Sequence, residues 1–304
     1  MCAGGRALSD SDPQAPPRTR ECGREGQEAA EGRLAIERTS RRLSRQRDDI
    51  KLSVIMAAYN EQETVEQAIY EVLSVQYPCD MELIVVDDGS TDKTPELLAR
   101  VTDPRVVILT YPRNQGKGAA LLTGITTATG SYILPFDADL EYLPDDILKL
   151  LAPILMGRCS VVYGVRLFGY NTVYRSYLYA LGNRILTRTT NMMFGSCLSD
   201  LHTCLKLIPT SMLRSLALTE RGFGLDTEIS ASLLRHGVRP FEVSVSYFSR
   251  SHEEGKKIRW RDALGCLRIL IRVRFQPRRR LSVADKAPAA EQQLALRKFR
   301  RGGV

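Results

Sequence analysis

Between residues 51 and 250 the chain alternates short apolar runs with segments of helical spacing, and few folds accommodate that order. Residues 52–58, 83–86, 106–109 and 132–136 read as buried strands. Between them, residues 61–75 (opened by Asn60), 93–101 (capped by Ser90 or Asp92) and 117–128 read as helices. Repeated strand–helix units predict an α/β fold, a mostly parallel sheet flanked by helices on both faces. The second half is more irregular. Helices are expected over 144–155, 170–193 and 225–236, and strands over 161–165, 204–208 and 241–247. In such sheets ligands gather at the carboxyl ends of the strands, so chemistry is sought along that edge.

Two of those ends are acidic. Leu83-Ile84-Val85-Val86 runs into Asp87-Asp88-Gly89-Ser90, and residues 132–136 run into Asp137-Ala138-Asp139. Two carboxylates one residue apart suit Mg2+ or Mn2+, hard ions that take one or two carboxylates together with phosphate oxygens. The same pair also reads as a turn or a helix cap. Glu141 is either a third ligand or a solvent-facing acid. Asp88 reads as an acceptor for a nucleobase or ribose, or as part of a turn and N-cap. Asn114-Gln115-Gly116-Lys117-Gly118 lacks the spacing of an ATPase phosphate loop. Its glycines permit close backbone approach at a helix start, and Lys117 is also readable as a solvated charge. Arg166 and Arg250 each follow a predicted strand, and Lys256 follows the loop-like Glu253-Glu254-Gly255. His202 and His252 are too isolated for a zinc site and read as structural. No Ser-His-Asp or Cys-His arrangement presents itself.

Composition separates the ends from the centre. The 304 residues are 43% hydrophobic, enough for a folded core, yet residues 1–50 hold ten Arg, nine acids and hardly any aromatic or β-branched residues. Such a segment buries too little apolar surface to offset the entropy of ordering, and is expected to be disordered. It is too rich in acids for a transit peptide and lacks the apolar stretch of a signal peptide. Residues 256–304 hold fifteen Lys and Arg against three acids. Residues 259–275 read as a basic amphipathic helix, with Leu264, Leu267, Leu270 and Ile271 among Arg261, Arg268 and Arg272. It suits an anionic membrane surface, or equally a seat on its own domain. Residues 276–304 read as a disordered basic tail. No aromatic stacking platform accompanies it, so nucleic acid is not expected as a partner. No run approaches the roughly 18 apolar residues of a spanning helix. The seven cysteines form no CxxC pair, which fits a reducing cytoplasm. The expectation is a soluble or peripheral protein on the cytoplasmic face of a membrane.

Taken in order, the motifs carry a resemblance. They are Ala58-Tyr59-Asn60-Glu61, Asp87-Asp88-Gly89-Ser90, Asn114-Gln115-Gly116-Lys117-Gly118, Asp137-Ala138-Asp139, the segment 200–206, Asp226-Thr227-Glu228 and the segment 250–256. The chain resembles the family-2 glycosyltransferases of GT-A fold, and among them the dolichol-phosphate or polyprenyl-phosphate mannose and glucose synthases. The resemblance covers about 51–275, with 51–258 as the GT-A domain. It implies that Ala57, Tyr59, Glu61, Val86, Asp88 and Ala138 bind the nucleotide, and that Asp137, Asp139 and Glu141 offer oxygens to the metal. It also implies that Arg166, Arg250 and Lys256 meet the donor diphosphate and the acceptor phosphate, and that the segment 200–206 lines the sugar and acceptor side. Two positions depart from the family pattern: Ala57 stands where proline is usual, and Glu141 where Gln is common.

The implied reaction moves a hexose from UDP-glucose or GDP-mannose to a polyprenyl or dolichyl monophosphate with inversion. A phosphate monoester has a second pKa of about 6, so this nucleophile is already anionic and needs no protein base. Two rivals remain. A transferase acting on a sugar hydroxyl or another soluble acceptor would need a carboxylate base, with Asp200, Asp226 and Glu228 the candidates. A non-enzymatic nucleotide-sugar binder would need none.

Overall fold

The computed structural model describes residues 50–166, 172–173, 177–249 and 260–277. The disorder expected of residues 1–50 and 276–304 lies almost wholly outside them, as do Arg250 and Lys256. The described strands are β1 (Lys51–Ala58), β2 (Asp80–Asp87), β3 (Val106–Thr110), β4 (Tyr132–Asp137), β5 (Val162–Val165), β6 (Thr172–Val173), β7 (Lys206–Pro209), β8 (Phe241–Ser244) and β9 (Tyr247–Phe248). Seven of them form one sheet in the order β3-β2-β1-β4-β7-β5-β8. Every neighbouring pair is parallel except those made by β7, which is antiparallel to β4 and β5. That reversal has a consequence for the site. It places Lys206, the first residue of β7, at the edge where β1, β2, β4 and β5 end.

The helices are α1 (Val65–Ser74), α2 (Thr94–Leu98), α3 (Lys117–Thr127), α4 (Asp146–Leu155), α5 (Tyr177–Phe194), α6 (Thr210–Ser215), α7 (Leu225–Arg235) and α8 (Trp260–Phe275). Successive strand residues point to opposite faces, and here both faces are covered. Leu52, Val54 and Met56 pack with α1 and α4, whereas Ile55, Ile84 and Val86 pack with α3 and α7. Burial on both sides is why these strands read as continuous apolar runs rather than alternating ones.

Several predicted elements are shorter or divided. Asn60 does not open α1: it has a φ of 52°, and its Oδ1 accepts the Thr91 N–H at 2.8 Å while its own N–H donates to Ser90 Oγ at 2.9 Å. It ties the turn after β1 to the acidic loop after β2, and the helix starts four residues later than such a cap would place it. Asp92 meets the start of α2, accepting the Thr94 N–H at 2.9 Å. The expected helix over 170–193 divides into β6 and α5, and the strand over 241–247 into β8 and β9. β6 and β9 pair in parallel as a separate two-stranded sheet.

α8 seats on its own domain. Cys266, Ile269, Leu270 and Val273 are buried, and the last three cluster with Ala231 of α7 and with Met193 and Phe194 of α5. Arg272 pairs with Glu220 at 2.7 Å and Glu228 at 2.9 Å. Of the two readings the sequence leaves open for this helix, Leu270 and Arg272 follow the seat on its own domain, since both belong to an intramolecular contact. Among the described residues no helix is long and apolar enough to cross a membrane.

Candidate functional site

The strand register gathers the nucleotide-side residues. Val86, Ala57 and Asp137 lie side by side across β2, β1 and β4, one residue from the carboxyl edge or at it. The side chains of Val86 and Ala138 are buried in the core, so backbone is what these two positions can offer a ligand. Tyr59 and Glu61 sit in the turn after β1, where the Glu61 N–H donates to Thr94 Oγ1 at 3.0 Å and its carboxylate accepts the Thr64 hydroxyl at 3.1 Å. The Asp88 side chain is engaged on both oxygens, accepting the Gln115 N–H at 2.7 Å and the Gly116 N–H at 2.9 Å. Its visible work is to hold the loop before α3. Beside it the buried Asp87 takes the Ser90 N–H on Oδ1 at 3.0 Å and leaves Oδ2 without a partner among the described residues.

The loop glycines answer to the protein itself. Gly116 has a φ of 102°, and a Cβ at Gly118 would lie 2.6 Å from the Arg221 carbonyl carbon and the Glu220 oxygen. The backbone that approaches so closely is segment 220–222 of the same chain, which docks onto the start of α3.

Lys117, open to reading as a solvated charge, is an ion-pair partner: Nζ lies 2.6 Å from Asp137 Oδ1. Burial opposes its charge, but Asp137 and, more remotely, Asp226 hold its pKa well above the ordinary value. Asp137 thus already binds a cation. Asp139, two residues on, accepts the Glu141 N–H on Oδ1 at 3.1 Å, and two carboxylates at a strand end have the hard-oxygen chemistry that suits a Mg2+ or Mn2+ ion completed by phosphate oxygens. Glu141 does not join them. Among the described residues no three acidic, His or Cys side chains converge as a metal-binding group. Leu140 turns the chain at a φ of 59°, and Glu141 Oε2 accepts the Tyr247 hydroxyl at 2.6 Å. The solvent-facing alternative fails as well, because Glu141 is buried.

On the opposite side of the edge Arg166 follows β5. Its Nε and Nη2 donate to the two oxygens of Asp200 at 2.6 and 2.9 Å, a bidentate pair. Asn183 of α5 donates to the same carboxylate at 2.8 Å, and the guanidinium carbon sits 4.9 Å from the centre of the Tyr247 ring. Burial pushes the Asp200 carboxyl upward, but Arg166 overrides it and holds the group below the usual carboxylate range. Lys206 is fully buried, donating to the Thr203 carbonyl at 2.6 Å and to Asp226 Oδ1 at 2.8 Å. Asp226 is likewise lowered: burial raises it, while Lys206 and then Lys117 lower it further. Glu228 accepts the Thr219 and Glu220 N–H groups at 2.9 and 2.8 Å, besides pairing with Arg272. His202 bonds Asn183 and Thr227, each at 2.9 Å, and burial with the nearby Lys206 lowers its pKa to about 4. It is neutral at physiological pH.

The site therefore has a cation on every candidate base. Sequence reasoning reaches Lys206 only inside a longer motif, and it misses Asn183 and Tyr247. A lysine inside the apolar run Leu205-Lys206-Leu207-Ile208 is the one local signal, since a buried lysine demands an acidic partner.

Residues 53–216 match the model of a single family, glycosyl transferase family 2. The chain belongs to that family. Its curated relatives include undecaprenyl-phosphate 4-deoxy-4-formamido-L-arabinose transferases. The one from Edwardsiella ictaluri (strain 93-146) is 27% identical over 213 residues, 67% of this chain and 62% of that protein. The one from Salmonella paratyphi B is 30% identical over 172 residues, 54% of this chain and 51% of that protein. The chain thus spans between 51% and 62% of the length of these relatives. In fold it is similar to glucosyl-3-phosphoglycerate synthase from Mycobacterium tuberculosis in complex with Mn2+, UDP-glucose and phosphoglyceric acid. The TM-score is 0.57 at 20% identity, covering 78% of this chain and 84% of that one. This is the GT-A arrangement expected of the motifs.

Proposed function

We propose that this family-2 glycosyltransferase moves a hexose from a nucleotide diphosphate sugar, UDP-glucose or GDP-mannose, to a polyprenyl monophosphate with inversion. One observation carries the reading. Asp200, Asp226 and Glu228, the carboxylates able to act as a base on the acceptor side, each pair with a cation, at 2.6, 2.8 and 2.9 Å. Asp200 and Asp226, whose carboxyls are held below the usual range, are weak proton acceptors, which suits an acceptor that arrives already ionised. Transfer to a hydroxyl would first require one of these pairs to open. The curated relatives named above, which act on undecaprenyl phosphate, support a lipid phosphate as the acceptor class.

Asp137 and Asp139 would hold a Mg2+ or Mn2+ ion, which when bound supplies Lewis-acid stabilisation to the departing diphosphate. The remaining work falls to the chain's own groups. Lys117, whose Nζ lies 2.6 Å from Asp137, would offset phosphate charge beside the strand end. Asp88 keeps the loop before α3 in place, and the row Val86, Ala57 and Asp137, with Tyr59, Glu61 and Ala138, frames the nucleotide. Arg166, fixed by Asp200 and the Tyr247 ring, orients the acceptor phosphate, since a guanidinium matches phosphate geometry. Arg250, by the family resemblance, would join Arg166 in meeting the acceptor phosphate, and Lys256 would exclude water from the donor; both lie outside the described residues. A polyprenyl phosphate partitions into lipid, so the reaction would run at a membrane surface, and we infer the cytoplasmic face as its side.

The test is incubation with labelled UDP-glucose or GDP-mannose, Mg2+ and a polyprenyl phosphate, followed by extraction into organic solvent. Label in the organic layer with one donor supports the assignment. Label confined to water with both donors overturns it.

A further inference from the structure

The outer faces of α5 and α8 carry a pattern that the site does not use. On α5 the exposed positions include Tyr177, Leu181, Arg184, Ile185, Arg188 and Met192, at spacings that keep them on one stripe about 100° wide. On α8 they are Leu264, Leu267, Arg268, Ile271, Arg274 and Phe275, again a single stripe. The exposure is substantial: Met192 is 81% exposed, Leu264 61% and Phe275 78%. These are neighbouring helices, joined where α8 packs on Met193 and Phe194 and where Arg274 donates to the Met193 carbonyl at 3.1 Å. Eight apolar side chains and four arginines thus share the stripes, and no acid occurs among their described exposed positions.

We propose that the exposed stripes of α5 and α8 together form the surface by which this protein seats on an anionic lipid bilayer. The inference rests on the membrane-held acceptor of the proposed function, and it replaces a single amphipathic helix with a composite face. Large apolar side chains left in water without cover need an apolar neighbour, and the arginines set between them bring positive charge to the same face. An anionic leaflet suits both, with acyl chains for Leu, Ile and Phe and headgroups for Arg. Charge favours this occupant further, because residues 278–304, which follow α8, carry eight Lys and Arg against two acids. The inner faces of the same helices reach the site. Asn183 of α5 bonds Asp200 and His202, and Cys266 Sγ of α8 lies 3.4 Å from His202 Nε2. A bilayer against the outer faces would lie one helix thickness from the groups that orient the acceptor phosphate.

The experiment is flotation of the full chain with vesicles of phosphatidylcholine, alone or mixed with phosphatidylglycerol, with no prenyl phosphate and no donor. The readout is therefore independent of any transferase activity. The wild type should float with the mixed vesicles and much less with phosphatidylcholine alone. Ile185→Asp with Ile271→Asp, both at exposed positions, should weaken partitioning about tenfold or more. Tyr70→Asp with Met156→Asp makes the same change of charge at exposed positions elsewhere and should leave flotation unchanged. Equal flotation of wild type and the first variant would overturn the proposal, as would equal loss in the two variants. A wild-type dimer in sedimentation that the first variant dissociates would also overturn it, and would assign the face to a second copy. Flotation as expected, with no label transferred in the assay above, would leave this surface standing and sink the acceptor reading alone.

Discussion

Asp200→Asn tests how the acceptor side is built. Asp200 is 1% exposed and holds a guanidinium by two hydrogen bonds, and the substitution leaves that charge half-buried without its counter-ion. Removing one partner of a buried ion pair costs about 3–5 kcal/mol. For a domain of this size each kcal/mol moves the melting temperature by about 2–4 °C, so thermal unfolding at neutral pH should fall by roughly 6–20 °C. The pH dependence has a definite sign. The folded carboxyl is held below its unfolded value, so the pair's contribution is complete above the unfolded pKa of about 3.9 and disappears as pH falls through the depressed one. The melting temperatures of wild type and variant should converge only in that acid range. Because Arg166 loses its orientation, kcat/KM for the acceptor should drop about a hundredfold while the KM for the donor stays. An Asn variant that melts within about 2 °C of wild type, too small a loss for a buried pair, would refute the positioning role. If the variant kept its stability but showed an altered pH–rate profile, Asp200 would be a base instead.

Other outcomes follow from the same geometry. Asp137→Asn should abolish transfer and weaken Mn2+ binding measured by electron paramagnetic resonance, with an unchanged circular dichroism spectrum. Lys117→Met removes the cation 2.6 Å from Asp137 and should tighten Mn2+ binding in the absence of nucleotide while lowering transfer; weaker Mn2+ binding would contradict this reading. Gly118→Ala drives a methyl group into segment 220–222 and should cost about 1–3 kcal/mol in urea unfolding. His202, one of three histidines, should stay neutral in an NMR titration down to about pH 4, and the stability linked to it should fall as pH drops from about 6.5 towards that value.

The parallel half of the fold was legible because its strands are buried on both faces, so that β1, β2 and β4 announce themselves as apolar runs ending in acids. β6 and β9 were not legible, since two residues each leave no periodicity to detect. The amphipathic helix was seen but its faces were not. A pattern of Leu and Arg does not reveal that Leu270 meets α7 while Ile271 points outward, because both lie near the apolar stripe. At the site the strand-end acids stood out, whereas their partners did not. Lys117 with Asp137, Lys206 with Asp226 and Arg166 with Asp200 are paired by the reversal of β7 and by chain distant in sequence. Spacing alone also left Glu141 beside Asp137 and Asp139, and the Tyr247 hydroxyl from β9 shows where it turns.

The central claim is that the acceptor brings its own negative charge to a side of the site where Asp200, Asp226 and Glu228 are each paired with a cation. It is tested by comparing, with one donor and Mg2+, transfer to a polyprenyl phosphate and to the alcohol of the same chain length. The account predicts a labelled lipid product with the phosphate and none with the alcohol. Comparable transfer to the alcohol would contradict it.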